Sequence, residues 1–248
     1  MTKLGLIAGG GGLPLALAEQ CVAAGRPLFV GAPGTGKSSV AVQFAIAAAR
    51  RGECAALFIF DESINTLRTR CEGMGMDLAM HMDSGFIRVR QIDPAELSPG
   101  EFVHEIRMAV EEQGATVVVI DSLNGYLNAM PDERFLIAQL HELLTYLGQH
   151  GVASMLIGAQ HGLIGMQMQT PVDASYLADA VVLLRYYEHQ GEVRQAISVL
   201  KKRGGAHERT IRSFSLTSDG VRVGEPLRNF RGILSGIPLP IDGVRSEP

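Results

Sequence analysis

One octapeptide dictates the architecture around it: Gly31-Ala32-Pro33-Gly34-Thr35-Gly36-Lys37-Ser38. It satisfies every fixed position of the pattern G-x-x-x-x-G-K-[ST], in which successive backbone N–H groups turn inward around a phosphate. Glycines are needed because a Cβ would obstruct those conformations. Lys37 can then reach the outer phosphates as a point charge, and the Ser38 hydroxyl can ligate Mg²⁺. Such a loop works between a strand and the N-terminus of a helix. Both flanks agree: Pro27-Leu28-Phe29-Val30 reads as a short buried strand, and Ser38 to Arg51 as an Ala-rich helix.

Strand–helix alternation continues downstream. Ala55 to Phe60 is continuously apolar, as expected of a parallel strand covered on both faces. It ends in Asp61-Glu62-Ser63, two carboxylates placed to activate a water and two candidate caps, Asp61 and Ser63, for the helix that follows. A Met- and Gly-rich connection leads to a strand at Phe86 to Gln91. The helix Glu101 to Glu112 then buries Phe102, Ile106 and Val110 at i, i+4, i+8. Val117-Val118-Val119-Ile120-Asp121 has the form of a strand that delivers a magnesium-orienting carboxylate. Glu133 to Gln149 carries a leucine-rich core face, and Val152 to Ile157 is a strand leading to Gln160-His161, a polar pair that can sense a phosphate or simply serve the loop. Beyond a cation-free loop at 161–175 the pattern changes to strands at Ala180 to Tyr187, Val193 to Leu200 and Ile211 to Leu216, the first two joined by a turn at Gly191. Lys201, Lys202, Arg203 and His207 cluster after the second of these, and the stretch from Ser235 reads as an extended or mobile tail.

Composition removes several function classes. With 46% hydrophobic and 19% charged residues, the 248-residue chain has globular composition, and a net charge of −4 gives no general attraction to nucleic acid or anionic lipid. No apolar run reaches the roughly 18 residues of a membrane helix. Cys21, Cys54 and Cys71 form no CxxC pair and fit reduced thiols in a cytoplasmic protein. Lys3, an apolar stretch and Ala16-Leu17-Ala18 imitate a secretory signal, but four consecutive glycines and Pro14 interrupt its apolar core.

Residues 1–30 read as strand (Lys3 to Ala8), tight turn (Gly9 to Gly12), helix (from Pro14 to about Ala24) and strand. Through Lys3-Leu4-Gly5-Leu6-Ile7-Ala8-Gly9-Gly10-Gly11-Gly12-Leu13-Pro14 this segment resembles the N-terminus of the LpxI family of UDP-2,3-diacylglucosamine pyrophosphatases, whose later catalytic part has no counterpart here. From Gly31 to about Pro238 the chain resembles the KaiC-like branch of the RecA-type ATPases. The residues carrying this are Gly31 to Ser38, Asp61-Glu62-Ser63, Ile120-Asp121-Ser122-Leu123-Asn124-Gly125-Tyr126, Ser175-Tyr176-Leu177-Ala178-Asp179, and Lys201-Lys202-Arg203-Gly204 with His207.

That resemblance implies a RecA-like α/β fold, a mainly parallel sheet flanked by helices with C-terminal antiparallel strands. It also implies ATP and Mg²⁺ as cofactors and a hexameric ring with active sites at subunit interfaces. Nucleotide would be held by Gly31, Ala32, Pro33, Gly34, Thr35, Gly36, Lys37, Ser38, Ser39 and Gln160, and Mg²⁺ by Ser38 and Asp121. Glu62, with Asp61, would polarise the attacking water. Lys201, Arg203 and His207 would approach the γ-phosphate bound by the neighbouring subunit. Ser175 stands where the clock members phosphorylate a serine, but Tyr176 replaces the adjacent threonine, which argues against a two-site phosphorylation cycle. The expected layout is an LpxI-like segment at 1–30, an ATPase domain at 31–235 and a tail at 236–248, reading as a chimera with its seam near Val30-Gly31. A DNA-dependent ATPase and a nucleotide-gated interaction module with little turnover are the competing functions. The cation-free loop speaks against the first.

Overall fold

A computed structural model describes residues 25–128, 133–159, 176–203, 206–234 and 239–240. The expectations for residues 1–24, for Gln160 and His161, for the loop to Ser175, for Gly204 and for most of the tail lie outside the described residues.

The strands are β1 (Pro27–Gly31), β2 (Cys54–Ile59), β3 (Ile87–Gln91), β4 (Ala115–Asp121), β5 (Ala153–Ala159), β6 (Ala180–His189), β7 (Glu192–Lys202), β8 (Arg212–Thr217), β9 (Gly220–Pro226), β10 (Phe230–Arg231) and β11 (Leu239–Pro240). The helices are α1 (Lys37–Arg50), α2 (Ile64–Gly73), α3 (Leu78–Asp83), α4 (Pro99–Glu111), α5 (Leu123–Asn128) and α6 (Glu133–Gln149). Nine strands form one sheet in the order β3-β2-β4-β5-β1-β6-β7-β8-β9. The first six in that order run parallel, and β7, β8 and β9 fold back antiparallel. This is the RecA-like arrangement, with β1 in the interior between β5 and β6.

Neighbouring residues of the central strands feed opposite cores, which explains their unbroken apolar sequences. On one face Phe29, Leu57, Val119 and Ile157 pack with Val40, Phe44 and Ile46 of α1. On the other, Leu28, Phe58, Val118 and Leu156 pack with Phe102 and Ile106 of α4 and Leu136, Leu140 and Leu144 of α6. Each such side chain, fully buried, stabilises the fold by roughly 1.5–3 kcal/mol relative to exposure. Ser98 starts α4 with a reciprocal capping box: its hydroxyl accepts from Glu101 N–H, and the Glu101 carboxylate accepts from Ser98 N–H at 2.8 Å.

Between β6 and β7, Gln190 and Gly191 both take positive φ, which makes the turn expected at Gly191. Gly25, two residues before β1, is tied to the body as well, since Ser154 N–H donates to its carbonyl at 2.9 Å. Cys54 and Cys71 are free, and burial pushes the Cys71 thiol up to about 11. Leu239 and Pro240, within the expected tail, pair antiparallel with Arg231 and Phe230. Among the described residues no helix is long and apolar enough to cross a membrane.

Candidate functional site

Parallel strands bring their carboxyl ends to one edge, and the register here lines those ends up. Gly31 pairs with Ala159, Asp121 with Ile157, and Ile59 with Asp121. The loop after β1, Asp61-Glu62 after β2 and Asp121 at the end of β4 therefore face a common crevice, where α/β sheets bind ligands. Its volume is about 450 Å³. Pro33, Gly34, Gly36, Lys37, Ser38, Ser39, Asp61, Glu62 and Asp121 all line it, joined by Arg70, Ser122, Ile157, Ala159 and Leu216.

The loop is shaped by its glycines and closed by its own polar groups. Gly36 caps α1 at φ 96°, and a Cβ there would meet the Phe214 ring at 2.8 Å. At Gly31 a Cβ would fall 2.3 Å from the Leu184 carbonyl oxygen. Ala32 and Thr35 form the buried inside of the turn, where the Thr35 hydroxyl donates to the Ala32 carbonyl at 2.8 Å. Lys37 is only 6% exposed, and its Nζ donates to the carbonyls of Gly31 and Ala32 at 2.9 and 2.8 Å. Burial lowers its pKa to about 8, opposed by the negative charges of Asp121 and Asp61.

Asp121 shows the opposite displacement. Burial raises its carboxyl to about 6, against a lowering hydrogen bond from Ser38 and with Glu62 and Asp61 adding like charge. A buried carboxylate joined to a serine hydroxyl supplies hard oxygen donors, and Mg²⁺ characteristically takes one or two carboxylates plus phosphate oxygens and water. The residues present thus fit that ion, although among the described residues no three or more His, Cys, Asp or Glu are arranged so as to hold a metal by themselves.

The two carboxylates after β2 are held differently. Asp61 accepts a hydrogen bond from the Ser122 hydroxyl at 2.5 Å. Glu62 is gripped by Arg70, with Nη2 at 2.5 Å from Oε1 and Nε at 3.4 Å from Oε2. Ser63 fills the capping role, its side chain accepting from Thr66 N–H at 3.1 Å. Asn124 fastens α5 to the end of β5 through two bonds with Ala159, Nδ2 to the carbonyl at 3.1 Å and the Ala159 N–H to Oδ1 at 2.8 Å. Sequence reasoning assigned no role to Arg70, Ser122 or Asn124. Ser122 and Asn124 had a signal in their nearness to Asp121, whereas Arg70 is one arginine in a polar helix.

Lys201, Arg203 and His207 are not gathered around the loop of their own chain. Lys201 pairs with Val181 and Lys202 with Ala180, and Ala180 lies opposite Pro27 at the start of β1. The loop follows the other end of β1, roughly 13 Å away at the rise of a β-strand. Arg203 donates to the Tyr176 carbonyl and lies 3.6 Å from Asp179, which Arg26 holds from the other side at 2.8 Å. His207 is half-buried nearby in sequence.

Comparison with known proteins gives a consistent picture. A protein-family model described as "ATPase: KaiC" matches residues 22–228. The circadian clock protein KaiC3 of Synechocystis sp. is 30% identical over 212 residues, covering 86% of this chain and 42% of that protein. The circadian clock oscillator protein KaiC of Prochlorococcus marinus is 29% identical over 224 residues, covering 88% and 44%, and that of Thermostichus vulcanus is 28% identical over 215 residues, covering 86% and 41%. The chain therefore spans less than half the length of these curated relatives.

Proposed function

The chain belongs to the KaiC ATPase family, and from that premise we propose that it binds MgATP in the crevice behind Gly31–Ser38 and hydrolyses it. The observation that carries this reading is the convergence of Lys37, Ser38, Asp61, Glu62 and Asp121 on one crevice at the carboxyl ends of β1, β2 and β4.

Each residue has a task that its surroundings suit. The Lys37 ammonium, now bonded to two loop carbonyls, exchanges those partners for the β- and γ-phosphate oxygens, a stronger charge-assisted contact. Backbone N–H groups of 31–38 and the N-terminus of α1 receive the remaining phosphate charge. Ser38 and Asp121 hold Mg²⁺, which when bound neutralises charge on the phosphates. Asp61 and Glu62 orient the attacking water and take up its proton.

Lys201 and Arg203 sit at the wrong end of β7 to serve their own loop, which supports a role for them, with His207, on a neighbouring subunit. Exposed Tyr176 and Leu200 beside them offer apolar surface for such a contact. The reading is thus a ring, hexameric by family resemblance, in which hydrolysis requires assembly and drives conformational signalling in the cytoplasm. Lys37→Ala is expected to abolish MgATP hydrolysis while leaving a folded protein by circular dichroism. Turnover unchanged in that variant contradicts the reading.

A further inference from the structure

The paired carboxylates Asp61 and Glu62 are treated unequally by the fold, and the reason is Arg70. This arginine lies on α2, whose first turn is capped by Ser63, the residue directly after Glu62. Two of its guanidinium nitrogens meet the two oxygens of Glu62. The third, Nη1, donates to the Ser39 hydroxyl at 2.8 Å. Ser39 is on α1, one residue beyond the serine that bonds Asp121. Arg70 therefore makes a three-point link from Glu62 to the helix that begins at the phosphate loop.

This is not an ordinary surface ion pair. The side chains are 28% and 21% exposed, and both line the crevice. The planar fork satisfies both carboxylate oxygens, a geometry that fixes orientation as well as charge. Without it, Glu62 would face Asp61 and Asp121 with no cation of its own and would turn toward solvent, since like charges at such range repel.

We propose that Arg70 is a positioning residue for the hydrolysis argued above: it holds the Glu62 carboxylate in register with α1, so that the water-orienting carboxylate and the phosphate loop move as one unit. The proposal rests on the hydrolysis reading. It goes beyond it by making Glu62 competent only through a guanidinium that also holds Ser39 of α1.

The test is a double-mutant cycle on the full chain with Arg70→Ala, Glu62→Gln and both together, plus Arg70→Lys. Steady-state MgATP hydrolysis is expected to show kcat reduced at least about tenfold in Arg70→Ala with KM changed less than about threefold. Arg70→Lys, which can meet Glu62 or Ser39 but not both, is expected to recover part of kcat. In the Glu62→Gln background, adding Arg70→Ala is expected to change kcat by less than about twofold. A kcat unaffected by Arg70→Ala, or reduced equally in both backgrounds, overturns the proposal. Thermal melting of the same proteins reads the link without turnover: non-additive shifts in Tm are expected, and additive shifts overturn it. If the parent protein shows no MgATP turnover, the hydrolysis reading falls by itself, and the melting cycle still decides whether Arg70 fixes Glu62.

Discussion

Lys37 and Asp121 are poor choices for stability and good ones for binding a metal–polyphosphate complex. Burial works against the charged form of each: it lowers the lysine to about 8 and raises the aspartate to about 6. Because the Asp121 carboxyl titrates higher in the fold than in the unfolded chain, its ionisation weakens the fold progressively as pH rises from about 4 and fully above the folded value near 6. The cost at neutral pH is on the order of 2–3 kcal/mol, less whatever Lys37 returns by attraction. Asp121→Asn keeps an oxygen for Ser38 and removes the charge. It is expected to raise the Tm of the nucleotide-free protein at pH 8, to lose that advantage at pH 4.5, and to abolish Mg²⁺-dependent nucleotide binding. A variant less stable than the parent at pH 8 would contradict this account of the site. Arg70 shows the limit of residue-level reading: its bond to Ser39 joins two helices 31 residues apart, and no local pattern announces it.

At the scale of elements, legibility followed how thoroughly each segment is covered. β1, β2, β4 and β5 were readable because two-sided burial demands unbroken apolar runs, and α6 because one leucine-rich face spans its full length. α3 falls in the Met- and Gly-rich connection, where a six-residue helix shows too little periodicity to register. β9 escaped notice although Val221 and Val223 are buried in alternation, because it is an edge strand interrupted by glycine and charge. The chemistry-bearing strand ends were the most legible parts, while the packing that aims them was hidden. Gly125 illustrates that packing: a Cβ there would fall 2.4 Å from Cβ of Phe60, the residue before Asp61. Phe60 is also bonded through its N–H to the Asp121 carbonyl at 2.7 Å. Gly125→Ala is therefore expected to cost about 1–3 kcal/mol and to lower hydrolysis by displacing Asp61. Gly148→Ala on α6, where nothing lies within 4 Å of the added carbon, is the matched control and is expected to be neutral or stabilising. Chemical denaturation and turnover of both variants check the pair.

For the whole molecule, the sheet separates the phosphate loop from the cations proposed to act on a neighbouring subunit. The phosphate loop and the carboxylates occupy one end of the parallel strands, and Lys201 and Lys202 close β7 at the other end, with Arg203 just after them held by Tyr176 and Asp179. Residues 25–30 are built into that sheet through β1 and the bond from Ser154 to Gly25, and the family match begins at residue 22, so the folded ATPase body includes them. On the proposed reading, in which Arg203 serves a neighbour's loop, the chain hydrolyses nucleotide only beside a copy of itself. Mixing two inactive variants tests this most directly: Lys37→Ala, with no functional loop, and Arg203→Ala, with no charge to offer a neighbour. Each alone is expected to be inactive with MgATP. Co-assembled in equal amounts they are expected to regain hydrolysis, since roughly one interface in four then joins an intact loop to an intact arginine. An Arg203→Ala protein as active as the parent, or a mixture as inactive as its components, would contradict a shared site between subunits.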